Sequence, residues 1–396
     1  MSGEGEAVKR VRQMTGEDGK DKESEAKSSD RMPLLGGLDQ RWRNWWIRGI
    51  LSIVMISLFA VVIYLGPIAL SLLVVGLLLK CFQEIIAIGY SKYREHNLPL
   101  YRVLNWFIAI VASIFIYCDN FFYYYPELKG TTGLFSFFGQ YHRIICLSLY
   151  VAGFVLFVLT LQKDLYNTQF SMFTWTHITL FLFGCPAYLS IQNTFESIFW
   201  LIVPVSLVVC NDIMAYLFGF FLGRTPLIKL SPKKTWEGFI GAVFATMLFG
   251  LVLSHMLAKY DYFVCFKGGT DCERPAIFVL QEYNVGTFFF YLYPAVLHSL
   301  ALSVFASLLA PFGGFFASGF KRAFKVKDFA DVIPGHGGIV DRFDCQLLMA
   351  VFANVYYFTF CRSPDPDKLV AILLSLPLDQ QREIFTHLQQ ALANTS

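Results

Sequence analysis

The chain has 396 residues, of which 56% are hydrophobic, 17% aromatic and 15% charged. Soluble domains carry about a quarter charged residues, and one ordinary core could not hide 41 phenylalanines, so a soluble protein is excluded and an integral membrane protein expected. The net charge of +3 says little about partners, among which no nucleic acid is expected, and the nine cysteines, without metal-type pair spacing, argue against zinc.

Residues 1–40 are rich in Gly, Glu, Asp, Lys and Ser and almost free of apolar side chains, so they read as a disordered cytosolic tail. No apolar core near the start suggests a cleaved signal peptide, which leaves insertion to the first span. Arg41, Trp42, Arg43, Trp45, Trp46 and Arg48 then mix cations with tryptophans, as at a membrane–water boundary. Apolar runs follow at 49–65, 67–88, 102–118, 143–162, 171–190, 196–221, 236–257, 286–317 and 343–361. Most are near the ~20 residues a crossing helix needs, which predicts an all-α, polytopic transmembrane helix bundle with about nine spans and a catalytic domain over 41–361. The run 286–317 is too long for one span and contains Pro311, Gly313 and Gly314, so a broken or re-entrant helix is expected there.

Lys and Arg concentrate in cytosolic loops. With the N-terminus inside, the loops bearing Lys92, Arg94 and Arg102, then Lys163, then Arg224 to Lys234, then Lys321 to Lys327 are cytosolic. The loops 119–140 and 258–285 lie outside, the second carrying Cys265 and Cys272, which can pair in an oxidising lumen. In the tail, 362–396, Pro364 and Pro366 interrupt any helix, and 376–392 reads as a surface helix with apolar Leu376, Leu378, Ile384, Phe385 and Leu388.

Within this apolar chain a few polar residues demand explanation. Asp212 interrupts the run 196–221, where a carboxylate costs ~2.5–3.5 kcal/mol on insertion scales; such acids are functional by default. Glu84 lies four residues after Lys80 and reads as a plain helical ion pair. The stretch from Ser231 to Glu237 reads as a helix start, Ser231 as cap and Pro232 first, with Lys233 and Lys234 where free N–H groups favour an anion. The richest stretch runs from Ser318 to Asp344. Lys321, Arg322, Lys327 and Arg342 suit phosphate, the glycines from Gly335 to Gly338 let backbone approach an anion, and His336 sits among them. Asp341 and Asp344, three apart on a helix, share a face and suit a divalent cation. No Gly-x-x-x-x-Gly-Lys-Ser/Thr loop is present.

These residues resemble the signature of the phosphatidate cytidylyltransferases: Ser318, Lys321-Arg322, Lys327-Asp328, Pro334-Gly335-His336-Gly337-Gly338 and Asp341-Arg342-x-Asp344. A second block, from Asn211-Asp212 through Gly223-Arg224 to Ser231-Pro232-Lys233-Lys234-Thr235-Trp236-Glu237-Gly238, resembles the eukaryotic branch of that family. The resemblance implies that CTP and phosphatidate in the bilayer give CDP-diacylglycerol and pyrophosphate, for phospholipid (phosphatidylinositol) synthesis at the endoplasmic reticulum membrane, with Mg²⁺ as cofactor. On this reading Asp341, Asp344, Asp328, Lys321, Arg322 and Arg342 are catalytic, and Asp212, Asp341 and Asp344 ligate the metal. Ser318, Lys327, Gly335, His336, Gly337, Gly338, Arg224, Ser231, Lys233 and Lys234 contact the substrates. A homodimer is left open. Two alternatives remain: a CTP-dependent lipid kinase of the dolichol-kinase type, and an anionic-lipid transporter, against which the absence of a repeated half argues. The Asp-Gly-x-x-Ala-Arg signature of the CDP-alcohol phosphotransferases is missing.

Overall fold

The computed structural model describes residues 40–92, 100–125, 133–228, 231–265, 274–286, 288–330, 337–362, 369–370, 373–374 and 376–395. It is an all-α, polytopic helix bundle. Its helices are α1 (Gln40–Leu65), α2 (Pro67–Lys92), α3 (Tyr101–Tyr124), α4 (Leu134–Leu159), α5 (Tyr166–Glu196), α6 (Phe199–Leu222), α7 (Trp236–Ala258), α8 (Pro294–Leu308), α9 (Pro311–Phe324), α10 (Val340–Tyr356) and α11 (Leu378–Thr395). Two antiparallel hairpins interrupt them, β1 (Pro226–Ile228) with β2 (Ser231–Thr235), and β3 (Gln281–Val285) with β4 (Phe288–Leu292).

Six segments among the described residues are long and apolar enough to cross a membrane, the last of them running from Pro294 to Phe324 through both α8 and α9. The expected nine is therefore not reached on composition, and α5 illustrates the reason. Its 31 residues include buried Gln169, Thr176, Thr179, Asn193 and Thr194, because it is the axis on which α2, α3 and α10 pack. Its threonine hydroxyls donate to carbonyls one turn back, as Thr176 does to Met172 at 2.9 Å and Thr179 to Trp175 at 2.7 Å. A buried helix can thus be polar in composition without orphaned groups.

The run 286–317 divides as its prolines and glycines predict, α8 ending at Leu308 and α9 beginning at Pro311. Its first residues, however, form β4 and not a helix: Tyr283 pairs with Phe290 and Val285 with Phe288 across a hairpin that turns at Gly286, whose φ is 67°. Aromatic residues fit a pleated surface well, which overrides the apolar-run reading. The surface helix of the tail is present as α11, with Leu378, Phe385 and Leu388 exposed.

Two cores meet at α10. One joins Phe199, Trp200 and Leu207 of α6 to Leu302 and Ala306 of α8 and to Cys345, Met349 and Ala353 of α10. The other joins Cys81, Ile85 and Ile88 of α2 to Phe183, Ala187 and Ile191 of α5, with Ala317 of α9, Phe329 and Val340. At its far end α10 passes into a π-turn, Tyr357–Cys361, where the hydroxyls of Tyr357 and Tyr124 each donate to Glu196 at 2.8 Å. With one end fixed so, the position of its N-terminal turn depends on the groups around residues 338–344.

Candidate active site

The first turn of α10 gathers the expected carboxylates and cations. Asp341 lies one residue inside the helix start and both its oxygens are engaged. Oδ1 pairs with Lys321 Nζ at 2.5 Å, and Oδ2 accepts from the N–H groups of Phe329 at 3.1 Å and Gly338 at 3.2 Å. Lys321 reaches it from the last turn of α9, where a cation also suits the helix dipole. Phe329, under the Lys321 ammonium at 5.6 Å, is buried at the base of this contact.

Asp344 follows one turn later and takes up different company. Its Oδ1 accepts from the N–H of Cys345 at 2.7 Å. A Cβ added at Gly314 would stand 3.4 Å from Asp344 Oδ2 and 3.6 Å from Lys234 Nζ, so carboxylate and ammonium converge over that glycine. One at Gly313 would lie 2.3 Å from the Asp344 carbonyl oxygen, a distance no side chain tolerates. The two glycines therefore let α9 and α10 touch by their backbones. Asp212, on α6, lies in the electrostatic field of Asp344, Lys234 and Arg342, and it stays exposed although ten residues of helix follow it.

Lys234 is positioned differently from expectation. Residues 231–235 form strand β2 and the helix begins at Trp236. Ser231 pairs with Ile228 and does not cap, and it is Thr235 that caps, its Oγ1 accepting from Gly238 N–H at 3.3 Å. Glu237, in the first helical turn, accepts from the N–H groups of Arg224 at 3.1 Å and Thr225 at 3.2 Å. Threonine with its hydroxyl on N3 and an acid in the first turn make as sound a helix start as Ser-Pro. The hairpin this leaves swings Lys234 inward, its Nζ 4.5 Å from the Phe315 ring centroid on α9.

Of the other expected site residues, Ser318 donates to the Gly314 carbonyl at 2.8 Å, and Arg322, Lys327, Asp328, Arg342 and Arg224 are exposed. Asp328 lies close to Gly337, whose Cβ would fall 3.5 Å from its carboxylate and whose φ is 79°. Gly335, His336 and the Lys233 side chain lie outside the described residues. The described glycines of the turn embrace carboxylates of this chain, a role sequence reading assigned to a bound anion: Gly338 would, with a Cβ, come within 2.7 Å of Glu84 Oε2 and 3.1 Å of Asp341 Oδ2.

Glu84 has a different partner from the lysine its spacing suggests. It makes no ion pair with Lys80, whose Nζ donates to Gln83 at 3.3 Å. It is 4% exposed and accepts from the N–H groups of Ile339 at 2.8 Å and Val340 at 3.0 Å. The signal was available, since Glu84 interrupts an apolar helix as Asp212 does, but the i, i+4 lysine gave it a ready partner.

A model of the cytidylyltransferase family matches residues 46–360. The chain belongs to this family. Among its relatives, phosphatidate cytidylyltransferase 1 of Rattus norvegicus is 51% identical over 383 residues, which cover 91% of this chain and 83% of the relative. Phosphatidate cytidylyltransferase 2 of Homo sapiens is 50% identical over 404 residues, covering 95% and 91%. Phosphatidate cytidylyltransferase of Caenorhabditis elegans is 47% identical over 379 residues, covering 91% and 82%. A cytidylyltransferase handles a nucleoside triphosphate, and the donor set here fits a Mg²⁺ ion beside one. Among the described residues no three His, Cys, Asp or Glu side chains form a complete cage. Asp212 and Asp344 provide two hard carboxylates, and Mg²⁺ uses one or two such ligands and fills the rest with water and phosphate oxygens. Asp341, the third expected ligand, is engaged by Lys321 and two N–H groups.

Proposed function

We propose that this cytidylyltransferase moves the cytidylyl group of CTP to phosphatidate, giving CDP-diacylglycerol and pyrophosphate, at the cytosolic face of the endoplasmic reticulum membrane. The observation that carries the reading is the meeting of Asp344 and Lys234 over Gly314, with Asp212 and Arg342 in the same field, in a chain half identical to phosphatidate cytidylyltransferases. Two like-charged phosphates must approach each other there, so cations have to screen both.

Lys234 and Arg342 would bind the triphosphate. Asp212 and Asp344 would hold Mg²⁺, which supplies the positive charge that attacking and leaving oxygens need. A phosphate oxygen of phosphatidate attacks the α-phosphorus in line. That P–O bond forms as the bond to the β-phosphate oxygen breaks, and pyrophosphate leaves. The nucleophile needs no general base, because a phosphate monoester with a second pKa of about 6 is mostly ionised near neutrality. Lys321 is held by Asp341 one turn away from Asp344, where it can shift toward the phosphates as their charge arrives. The clustering of Lys and Arg at this end of the bundle supports a cytosolic site.

Purified protein in detergent, given CTP and phosphatidate, should release pyrophosphate. CDP as the released product would instead mean γ-phosphoryl transfer of the lipid-kinase kind. Turnover of neither, with movement of lipid or nucleotide across reconstituted vesicles, would make the protein a carrier.

A further inference from the structure

We infer that Glu84 is a positioning residue for the transfer, setting from α2 where the first turn of α10 stands. The first N–H groups of a helix lack intrahelical acceptors, and the residue at the cap of α10 is Ile339, whose side chain can accept nothing. Glu84 supplies what Ile339 cannot. Its two oxygens take the N–H groups of Ile339 and Val340, at 2.8 and 3.0 Å, across 255 and 256 residues of chain. A carboxylate also suits the positive end of the helix dipole.

Three features tie this contact to the site and not to packing alone. Gly338, the residue whose N–H donates to Asp341, sits so close that an added Cβ would stand 2.7 Å from Glu84 Oε2 and 2.9 Å from the backbone nitrogen of Ala330. Asp341, Arg342 and Asp344 lie within five residues of the capped N–H groups, so a shift of the first turn moves all three. The helix is held at its other end through Tyr357 and Glu196 and along its length by Gln346 and Asn354, which leaves Glu84, beside the Lys321–Asp341 pair, to fix its first turn. Glu84 is buried and touches backbone, which keeps it from substrate; it acts through Asp341 and Asp344.

The inference rests on the assignment of the first turn of α10 to the active site, and the test separates the two. For Glu84→Gln, kcat per folded protein should fall by about 10–100-fold, the usual loss when a residue that orients metal ligands is changed. The CTP KM should change much less. Hydrogen–deuterium exchange over residues 339–345 should speed up while α6 and α8 exchange as before. Normal kcat in Glu84→Gln, with Asp344→Asn inactive in the same assay, would overturn the inference and leave the site reading intact. Activity in Asp344→Asn would overturn both. Should Glu84→Gln not accumulate, the unmodified protein decides: the amides of Ile339 and Val340 should exchange slowly although they begin a helix, and fast exchange at both would refute the cap.

Discussion

Asp341 and Asp344 look interchangeable in sequence, yet the structure predicts opposite effects of their replacement on stability. In Asp341→Asn the amide keeps one acceptor oxygen and turns its NH₂ toward donors, either Lys321 Nζ or the N–H groups of Phe329 and Gly338. The pair is nearly dry, with 9% of the Asp341 side chain and 20% of the Lys321 side chain exposed. Breaking a buried pair from one side costs ~3–5 kcal/mol, and the residual exposure puts this one at the low end, about 3 kcal/mol. For a chain of this size that is a fall in Tm on the order of 5 °C. Asp344→Asn can keep its one backbone hydrogen bond, from Cys345; it loses the attraction of Lys234 but also the repulsion of Asp212 and the larger cost of burying its charge. It should melt at or above the parent temperature with no measurable turnover, the usual exchange of stability for function at a site of like charges. Thermal melting in detergent and initial rates normalised to folded protein measure both effects. Asp341→Asn melting with the parent protein, or Asp344→Asn melting lower while keeping its specific activity, would refute the division of labour between the two carboxylates.

Gly313→Ala should destabilise the α9–α10 contact by about 1–3 kcal/mol, as overpacking does, because its Cβ would meet the Asp344 carbonyl at 2.3 Å; an unchanged melting curve would mean the helices do not meet there. Lys234→Met should raise the CTP KM about tenfold, equivalent to ~1.4 kcal/mol, and lower the melting temperature because Asp212 and Asp344 lose the cation beside them; an unaltered KM would remove Lys234 from the triphosphate site. Cys265 is disulfide-bonded, so on sealed microsomes a membrane-impermeant thiol reagent should label the 258–285 loop only after reduction and only from the lumenal side. Labelling from the cytosolic side would invert the topology.

Much of this architecture is legible from composition, and the departures have physical reasons. Apolar runs mark helices well where one face meets lipid, as in α4 and α7, and the run 171–190 marks α5 too, but α5 is buried on several sides and carries hydroxyls and amides inside, so its composition does not mark it as a span. The break at Pro311 is legible because proline stops a helix locally, whereas the hairpin β3–β4 depends on cross-strand pairing that no local pattern fixes. At the site, residue type and spacing select Asp212, Lys234, Lys321, Asp341 and Asp344. Spacing cannot tell that Lys321 pairs with Asp341 while Lys234 meets Asp344, since that depends on α9 meeting α10 at Gly313 and Gly314. Glu84 was hidden for the same reason: its partners lie 255 and 256 residues away in sequence.

The most direct test of the account follows the α-phosphorus. Purified parent protein and Asp344→Asn, both verified as folded, are incubated with phosphatidate, Mg²⁺ and CTP labelled in either the α- or the γ-phosphate, and the lipid is extracted. The account predicts α-label in the lipid and γ-label in pyrophosphate for the parent protein, and neither product for Asp344→Asn. Appearance of γ-label in the lipid, or incorporation of α-label by Asp344→Asn at the parent rate, would contradict it.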